Sequence, residues 1–218
     1  LAADEAFDGQ AGSVVVLVPQ TGEVLALVSV PGYDPNLFSG LMVRREKDHL
    51  DSNPRKPWVN RSIQGQYAPG STFKVVTALA ALKVDAVTAT EKINCPGHYR
   101  MGRHTWRCHK DSGHGPVNMK DALKKSCDTY FYTLAARMGI EPIAAMGRQF
   151  GLGRSSGLEL RGDKPGIMPD EAFHDRTEKR NGGYQRGMAL NTSIGQGAVL
   201  TTPLQLAKLY AALVNGRK

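Results

Sequence analysis

The string Pro69-Gly70-Ser71-Thr72-Phe73-Lys74 constrains this 218-residue chain more than any other. The run that follows, Val75-Val76-Thr77-Ala78-Leu79-Ala80-Ala81-Leu82-Lys83, reads as buried helix, and Pro69-Gly70 breaks whatever precedes it. The pattern predicts a helix over 71–84. Positions three apart share a helix face, so the Lys74 amine is expected to reach the Ser71 oxygen. An amine in a partly dry pocket has a lowered pKa and can take the serine proton. Free N–H groups at the helix N-terminus suit the oxyanion of an acyl-transfer intermediate. Ser71 is the only serine with a lysine three residues on, but the pair alone fits an exposed cap beside a solvated lysine equally well.

A second element, Lys125-Ser126-Cys127-Asp128, shifts that balance. S-x-x-K followed by S-x-[DN] is the serine acyltransferase arrangement of penicillin-binding proteins and class A β-lactamases. Beyond the motifs, the apolar runs Ser13–Val18 and Glu23–Val30 read as a β-hairpin around Pro19-Gln20-Thr21-Gly22. Residues 31–68 read as an irregular segment, and further helices are expected over 118–126, 128–138 and 141–150. Gly162 to Gly183 reads as a mobile surface loop, and Thr201-Thr202 and Pro203 as the cap and first position of a last helix. The pattern suggests an α+β fold, helices packed on an antiparallel sheet of which the first strands are present.

Composition narrows the classes. The net charge of +8 is scattered over Arg44-Arg45, Arg55-Lys56, Lys124-Lys125 and Lys179-Arg180, with no basic arm, so no nucleic-acid partner is expected. A solvated basic face is the preferred reading of that charge, and steering towards an anionic membrane or carboxylate-bearing stem peptides the alternative. No run approaches the ~18 apolar residues of a membrane span, and the first residues lack the layout of a signal peptide.

Several further segments resemble the class B penicillin-binding protein transpeptidases, over nearly all of residues 1–218. Thr21 to Ser29 with Pro31-Gly32-Tyr33-Asp34-Pro35-Asn36 is similar to the start of that domain, and Asn60-Arg61, Gln64 and Tyr67 to Lys74 to its nucleophile segment. Ser126 to Tyr132, with aspartate third, resembles the penicillin-binding protein 2 branch of cell elongation. Ile194-Gly195-Gln196-Gly197 and Thr201 to Ala207 resemble the segment bordering the site. The resemblance implies a penicillin-binding/serine β-lactamase-like transpeptidase fold and a peptidoglycan D,D-transpeptidase. Ser71 would be the nucleophile and Lys74 its base, with Ser126 relaying protons and Asp128 supporting the geometry. It implies stem peptides as substrates, β-lactams as covalent inhibitors and a membrane glycan polymerase as partner, at the periplasmic face of the inner membrane. The family's Lys-[Ser/Thr]-Gly motif does not occur in the chain. On the resemblance it lies with several sheet strands beyond Lys218, and a membrane anchor precedes Leu1, so the domain is read as incomplete. A non-catalytic binding domain remains the alternative. A β-lactamase is disfavoured because Glu159-Leu160-Arg161-Gly162 stands where a Glu-x-x-Leu-Asn element is expected.

Cys95, His98, His104, Cys108, His109, His114 and Cys127 crowd one stretch. Cys95, Cys108, His114 and Cys127 form a Cys3His set, an accepted ligand set for structural zinc. His114 is preferred to His109, which adjoins Cys108 and would diverge from it in an extended segment; His98 and His104 stay open. The rivals are a Cys95–Cys108 disulfide with Cys127 free, as an oxidising periplasm allows, and three unconnected thiols. Since Cys127 lies between Ser126 and Asp128, a metal there would be structural, fixing Ser126 relative to Lys74.

Overall fold

The protein is described by a computed structural model of residues 2–40 and 43–216. In chain order its regular elements are α1 (Ala2–Glu5), β1 (Gly12–Leu17), β2 (Val24–Val30), α2 (Arg44–Ser52) and α3 (Lys74–Lys83). Then come β3 (Ile93–Cys95), β4 (His98–Met101), β5 (His104–Arg107), β6 (Gly115–Val117), α4 (Met119–Lys124), α5 (Asp128–Met138) and α6 (Glu141–Gln149). The last are α7 (Glu171–Thr177), α8 (Arg186–Ser193) and α9 (Pro203–Val214). They divide into two compact units, one of residues 1–66, 154–165 and 201–218 and one of residues 67–153 and 166–200.

In the first unit β1 and β2 pair antiparallel from Gly12↔Val30 to Leu17↔Val24, with an irregularity at Val16/Leu17. Their valine-rich runs suit a pleated, half-buried surface. Helix α9 packs on β1. It starts at a capping box, in which the Thr202 hydroxyl accepts from Gln205 N–H and the Gln205 side chain accepts from Thr202 N–H. Gln205 Nε2 also donates to Arg154 O and Pro165 O, both at 2.8 Å, so one buried amide ties a separate segment to the helix.

The expectation of an irregular segment over 31–68 needs correction, because it contains a 3-10 turn (Pro35–Phe38) and α2. Helix α2 buries only Leu50 and is laced by Arg44–Asp48 and Lys47–Asp51 pairs four residues apart, so it leaves no apolar stripe to read.

The second unit is built on α3. Its small and branched residues Val76, Thr77, Ala78, Ala80 and Ala81 are buried, and it packs against α5 and α6, while α5 also packs against α8. The expected helices 118–126, 128–138 and 141–150 are α4, α5 and α6. Two short ladders, β3–β6 and β4–β5, and helix α8 were not anticipated; strands of three or four residues carry too little alternation to detect. The mobile loop expected over Gly162 to Gly183 is also corrected: residues 171–177 form α7, whose cap Asp170 accepts from Phe173 N–H at 2.7 Å and pairs with Arg148 at 2.5 Å. Among the described residues no helix is long and apolar enough to cross a membrane.

His174 is the one buried residue of α7, at 5% exposure, and neither ring nitrogen has a hydrogen-bond partner among the described residues. Burial holds its pKa below the ordinary 6.5, against the opposing pull of Glu178, Asp170 and Asp175. The unfolded chain therefore takes the proton first. Stability supplied by the neutral ring is complete above pH 6.5 and is lost as pH falls through the depressed folded value. His174→Leu should gain about 1 kcal/mol at neutral pH by removing unpaired polar atoms. Thermal melts from pH 7.5 to 5 should show the wild type losing stability below pH 6.5 relative to the variant; parallel curves would contradict this account.

Candidate active site

Ser71 lies in a 3-10 turn, Gly70–Phe73, that runs directly into α3 at Lys74. The expected single helix from 71 is thus two pieces. Three residues per turn stack Ser71 over Lys74 and leave the first N–H groups of the turn without partners inside it. Ser71 is exposed whereas Lys74 is 1% exposed. The turn is held from behind by Gly195, whose carbonyl accepts from Gly70 N–H at 2.9 Å. A Cβ on Gly195, at φ +70°, would stand 2.3 Å from Gly70 O, so only glycine lets the two chains approach.

Ser126 closes the site. It sits in the α4–α5 turn at φ +52°, a left-handed conformation that a serine adopts at a cost. Its hydroxyl lies 2.8 Å from Ser71 Oγ and accepts from Lys74 Nζ at 2.9 Å, and its carbonyl accepts from the same nitrogen at 2.8 Å. Asp128 Oδ1 completes the set at 2.6 Å. Three acceptors around Nζ match the three N–H donors of an ammonium. The direct Lys74–Ser71 contact expected from sequence is replaced by one through Ser126 Oγ, because burial and Asp128 draw the amine toward the start of α5.

Asp128 uses both oxygens, Oδ2 accepting from His109 N–H at 2.9 Å with the His109 ring nitrogen Nδ1 at 3.3 Å. Burial works to raise its pKa, but the hydrogen bond and charge of Lys74, with the His109 contacts, outweigh it. The carboxyl is held below its ordinary 3.8. It stays ionised through neutral and mildly acidic conditions. Sequence reasoning missed His109 as a partner of Asp128; its place beside Cys108 was the available signal.

Cys95, Cys108, His114 and Cys127 converge, with one ligand atom of each within 4.8 Å of the others. Cys95 Sγ and Cys108 Sγ each lie 3.6 Å from His114 Nδ1, and all three cysteines are free and buried. Zinc bonds of ~2.3 Å to sulfur and ~2.0–2.1 Å to nitrogen make a tetrahedral edge of about 3.6 Å, so the donor set fits that ion. Burial opposes ionisation of Cys95, yet the Thr129 hydroxyl and the N–H groups of His114 and Gly97 bring its thiol down to about 6. Burial pushes Cys127 up. Gly113 makes the convergence possible: at φ +74° a Cβ would stand 2.2 Å from Cys95 O, the acceptor of His114 N–H. His98 and His104 lie on the β4–β5 hairpin, outside the cluster.

The penicillin binding protein transpeptidase domain model matches residues 12–218. The chain belongs to that family. A peptidoglycan D,D-transpeptidase MrdA of Acinetobacter baumannii is 40% identical over 215 residues, 98% of this chain and 32% of the relative. The penicillin-binding protein 2 crystal structure from Pseudomonas aeruginosa matches at a TM-score of 0.94 with 38% identity, covering 98% of this chain and 47% of that one. Penicillin-binding protein A of Mycobacterium tuberculosis, as an imipenem acyl-enzyme complex, matches at 0.82 with 32% identity, covering 94% and 46%. The fold is that of penicillin-binding protein transpeptidases, and the chain spans about a third of the length of the curated relative.

Because Ser126 is held at φ +52°, Ser126→Gly should be more stable than Ser126→Ala by about 1 kcal/mol, although both lose the hydroxyl. Denaturant titration of the two variants checks this; a more stable alanine variant would mean that the turn does not need the left-handed conformation.

Proposed function

We propose that this chain carries the acyl-transfer centre of a peptidoglycan D,D-transpeptidase of cell elongation. The observation that carries the reading is the continuous path from Lys74 Nζ through Ser126 Oγ to Ser71 Oγ, at 2.9 and 2.8 Å. Lys74 is the general base. The Ser71 proton passes to it along the path as Ser71 Oγ bonds to the carbonyl carbon of the penultimate D-alanine of a stem peptide. The Ser71 N–H, at the start of the nucleophile turn, would donate to the developing oxyanion. The C–N bond to the last D-alanine then breaks, and the departing nitrogen takes the proton back through Ser126. An acceptor amine from a neighbouring strand attacks the ester, forms the cross-link and returns the proton to Ser71. Asp128 keeps the amine aimed throughout.

A β-lactam would follow the same first step, but its ring nitrogen stays tethered, so the acyl-enzyme persists. The imipenem acyl-enzyme of the mycobacterial homologue supports this. The expected setting is the periplasmic face of the inner membrane beside a glycan polymerase, in keeping with the likeness to penicillin-binding protein 2. Intact mass after penicillin treatment should show one adduct, mapped to Ser71. Ser71→Ala should abolish it, and Lys74→Ala should slow it by roughly 10²–10⁴-fold, the scale of a lost general base. An adduct on Ser71→Ala, or an undiminished rate in Lys74→Ala, would refute the assignment.

We also infer that Cys95, Cys108, His114 and Cys127 hold a structural zinc ion. A closed four-ligand site supplies no catalytic position and serves to fix the backbone that carries Ser126 and Asp128. Elemental analysis of protein purified without a metal-affinity tag should return about one zinc per chain. The three thiols should resist alkylation until a chelator is added. Protein lacking zinc, with a Cys95–Cys108 disulfide on mapping, would sink the inference.

A further inference from the structure

The β4–β5 hairpin has two chemically different faces. Its register pairs His98 with Arg107, Tyr99 with Trp106, Arg100 with Thr105 and Met101 with His104. Alternation therefore puts Tyr99, Met101, His104 and Trp106 on one face. Trp106 anchors that face, since its indole N–H donates to Asn191 Oδ1 at 3.0 Å and its ring covers Gly187 of α8. The other face presents His98, Arg100, Thr105 and Arg107, all exposed, around a concavity of about 420 Å³ that Gly97 and Asp111 complete.

Charge sets this face apart. Residues 98–107 hold three arginines, two histidines and no carboxylate. Among the described residues neither Arg100 nor Arg107 forms an ion pair or a side-chain hydrogen bond, whereas Arg137 and Arg148 each hold a carboxylate. Arg100 and Arg107 are diagonal neighbours on the hairpin, with Cβ atoms roughly 7–8 Å apart or less, a spacing at which two guanidinium forks can grip one carboxylate. Asp111 at the rim biases the pocket toward ligands that also carry a donor.

The face also lies close to the acyl-transfer centre. Arg107 is two residues from His109, about 7 Å of extended chain, and His109 N–H bonds Asp128 Oδ2. From Arg107 through His109, Asp128, Lys74 and Ser126 to Ser71 the route is roughly 20 Å at most. An extended pentapeptide spans up to ~17 Å. The route is a bent path and an upper bound on the direct separation, so a peptide with its terminus at Ser71 can run an internal group toward the arginines.

We propose that the outer face of the β4–β5 hairpin is a carboxylate-binding subsite for the stem peptide being cross-linked, with Arg100 and Arg107 as its specificity residues. This rests on the transpeptidase reading above. It gives part of the scattered positive charge a function, and it selects peptides whose internal carboxyl group is free over those in which it is amidated.

The test uses two fluorescein-labelled synthetic pentapeptides ending in D-alanyl-D-alanine, one with a free internal D-glutamate carboxylate and one with that group amidated. Fluorescence anisotropy at low salt should show the free-acid peptide binding the protein about 5- to 20-fold more tightly, the scale of a charge-assisted bidentate contact. In Arg100→Gln/Arg107→Gln the two peptides should bind alike, and Arg100→Lys/Arg107→Lys should keep part of the preference. Both side chains are exposed, and thermal melts check that the variants fold. Equal binding of the two peptides by the wild type, no measurable binding of either, or a preference that survives the glutamine variant would each overturn the proposal. Binding of phosphatidylglycerol vesicles that needs both arginines, without peptide discrimination, would assign the face to the membrane instead. Penicillin labelling of the wild type is read separately. Its absence would refute the transpeptidase reading, while loss of peptide discrimination with labelling intact refutes only the subsite.

Discussion

A lysine ammonium at 1% exposure is the constraint around which the second unit is organised. Taking a charge of that kind out of water is costly unless every donor is matched and an opposite charge stands beside it. Here the matching groups come from a single turn: the carbonyl and hydroxyl of Ser126 and a carboxylate oxygen of Asp128. To supply both a carbonyl and a hydroxyl from one residue, the turn must bend sharply, which is why Ser126 occupies the left-handed region. The same bend presents the hydroxyl to Ser71. Solvating a buried amine and linking it to Ser71 are therefore one geometric solution. The Phe131 ring, 5.6 Å from Nζ, closes the remaining side.

That turn is braced from the rear. Cys127 caps α5 and points into the cluster with Cys95, Cys108 and His114, while His109, next to Cys108, reaches Asp128 through its backbone. That connection thus touches the two residues that follow Ser126, Cys127 and Asp128. Gly113 permits the close backbone passage that the cluster needs, and Gly195 does the same behind the nucleophile turn. The hairpin carrying Arg100 and Arg107 leaves this framework one residue before Cys108. A surface feature is thereby tied in position to the turn that carries Ser126 and Asp128.

Much of this was legible in the chain. The apolar run after Lys74 announced α3, Thr201-Thr202 with Pro203 announced the start of α9, and two apolar, β-branched runs announced the β1–β2 hairpin. The Cys3His grouping was readable as a set, and the structure brings those four residues together. Elements with few buried residues escaped: α2 buries one side chain and α7 one, and β3 to β6 are too short to show a period. Their formation depends on capping, ion pairs and cross-strand bonds to distant residues, which leave no periodic trace.

The sequence by itself determined the residue types of the site and their order, because a hydroxyl, an amine, a second hydroxyl and a carboxylate must each be encoded at a position, and local periodicity suffices to seat the first two on a helix. Only the tertiary structure decided how they connect. Ser71 and Lys74 are close in the chain, yet the amine faces Ser126 and Asp128, 52 and 54 residues away, since a buried ammonium takes the strongest acceptors the packing offers. The left-handed turn at Ser126, the bond from His109 to Asp128 and the exposed guanidiniums of β4 and β5 arise the same way. Each is set by which backbones are packed against one another, and spacing along the chain carries no record of that.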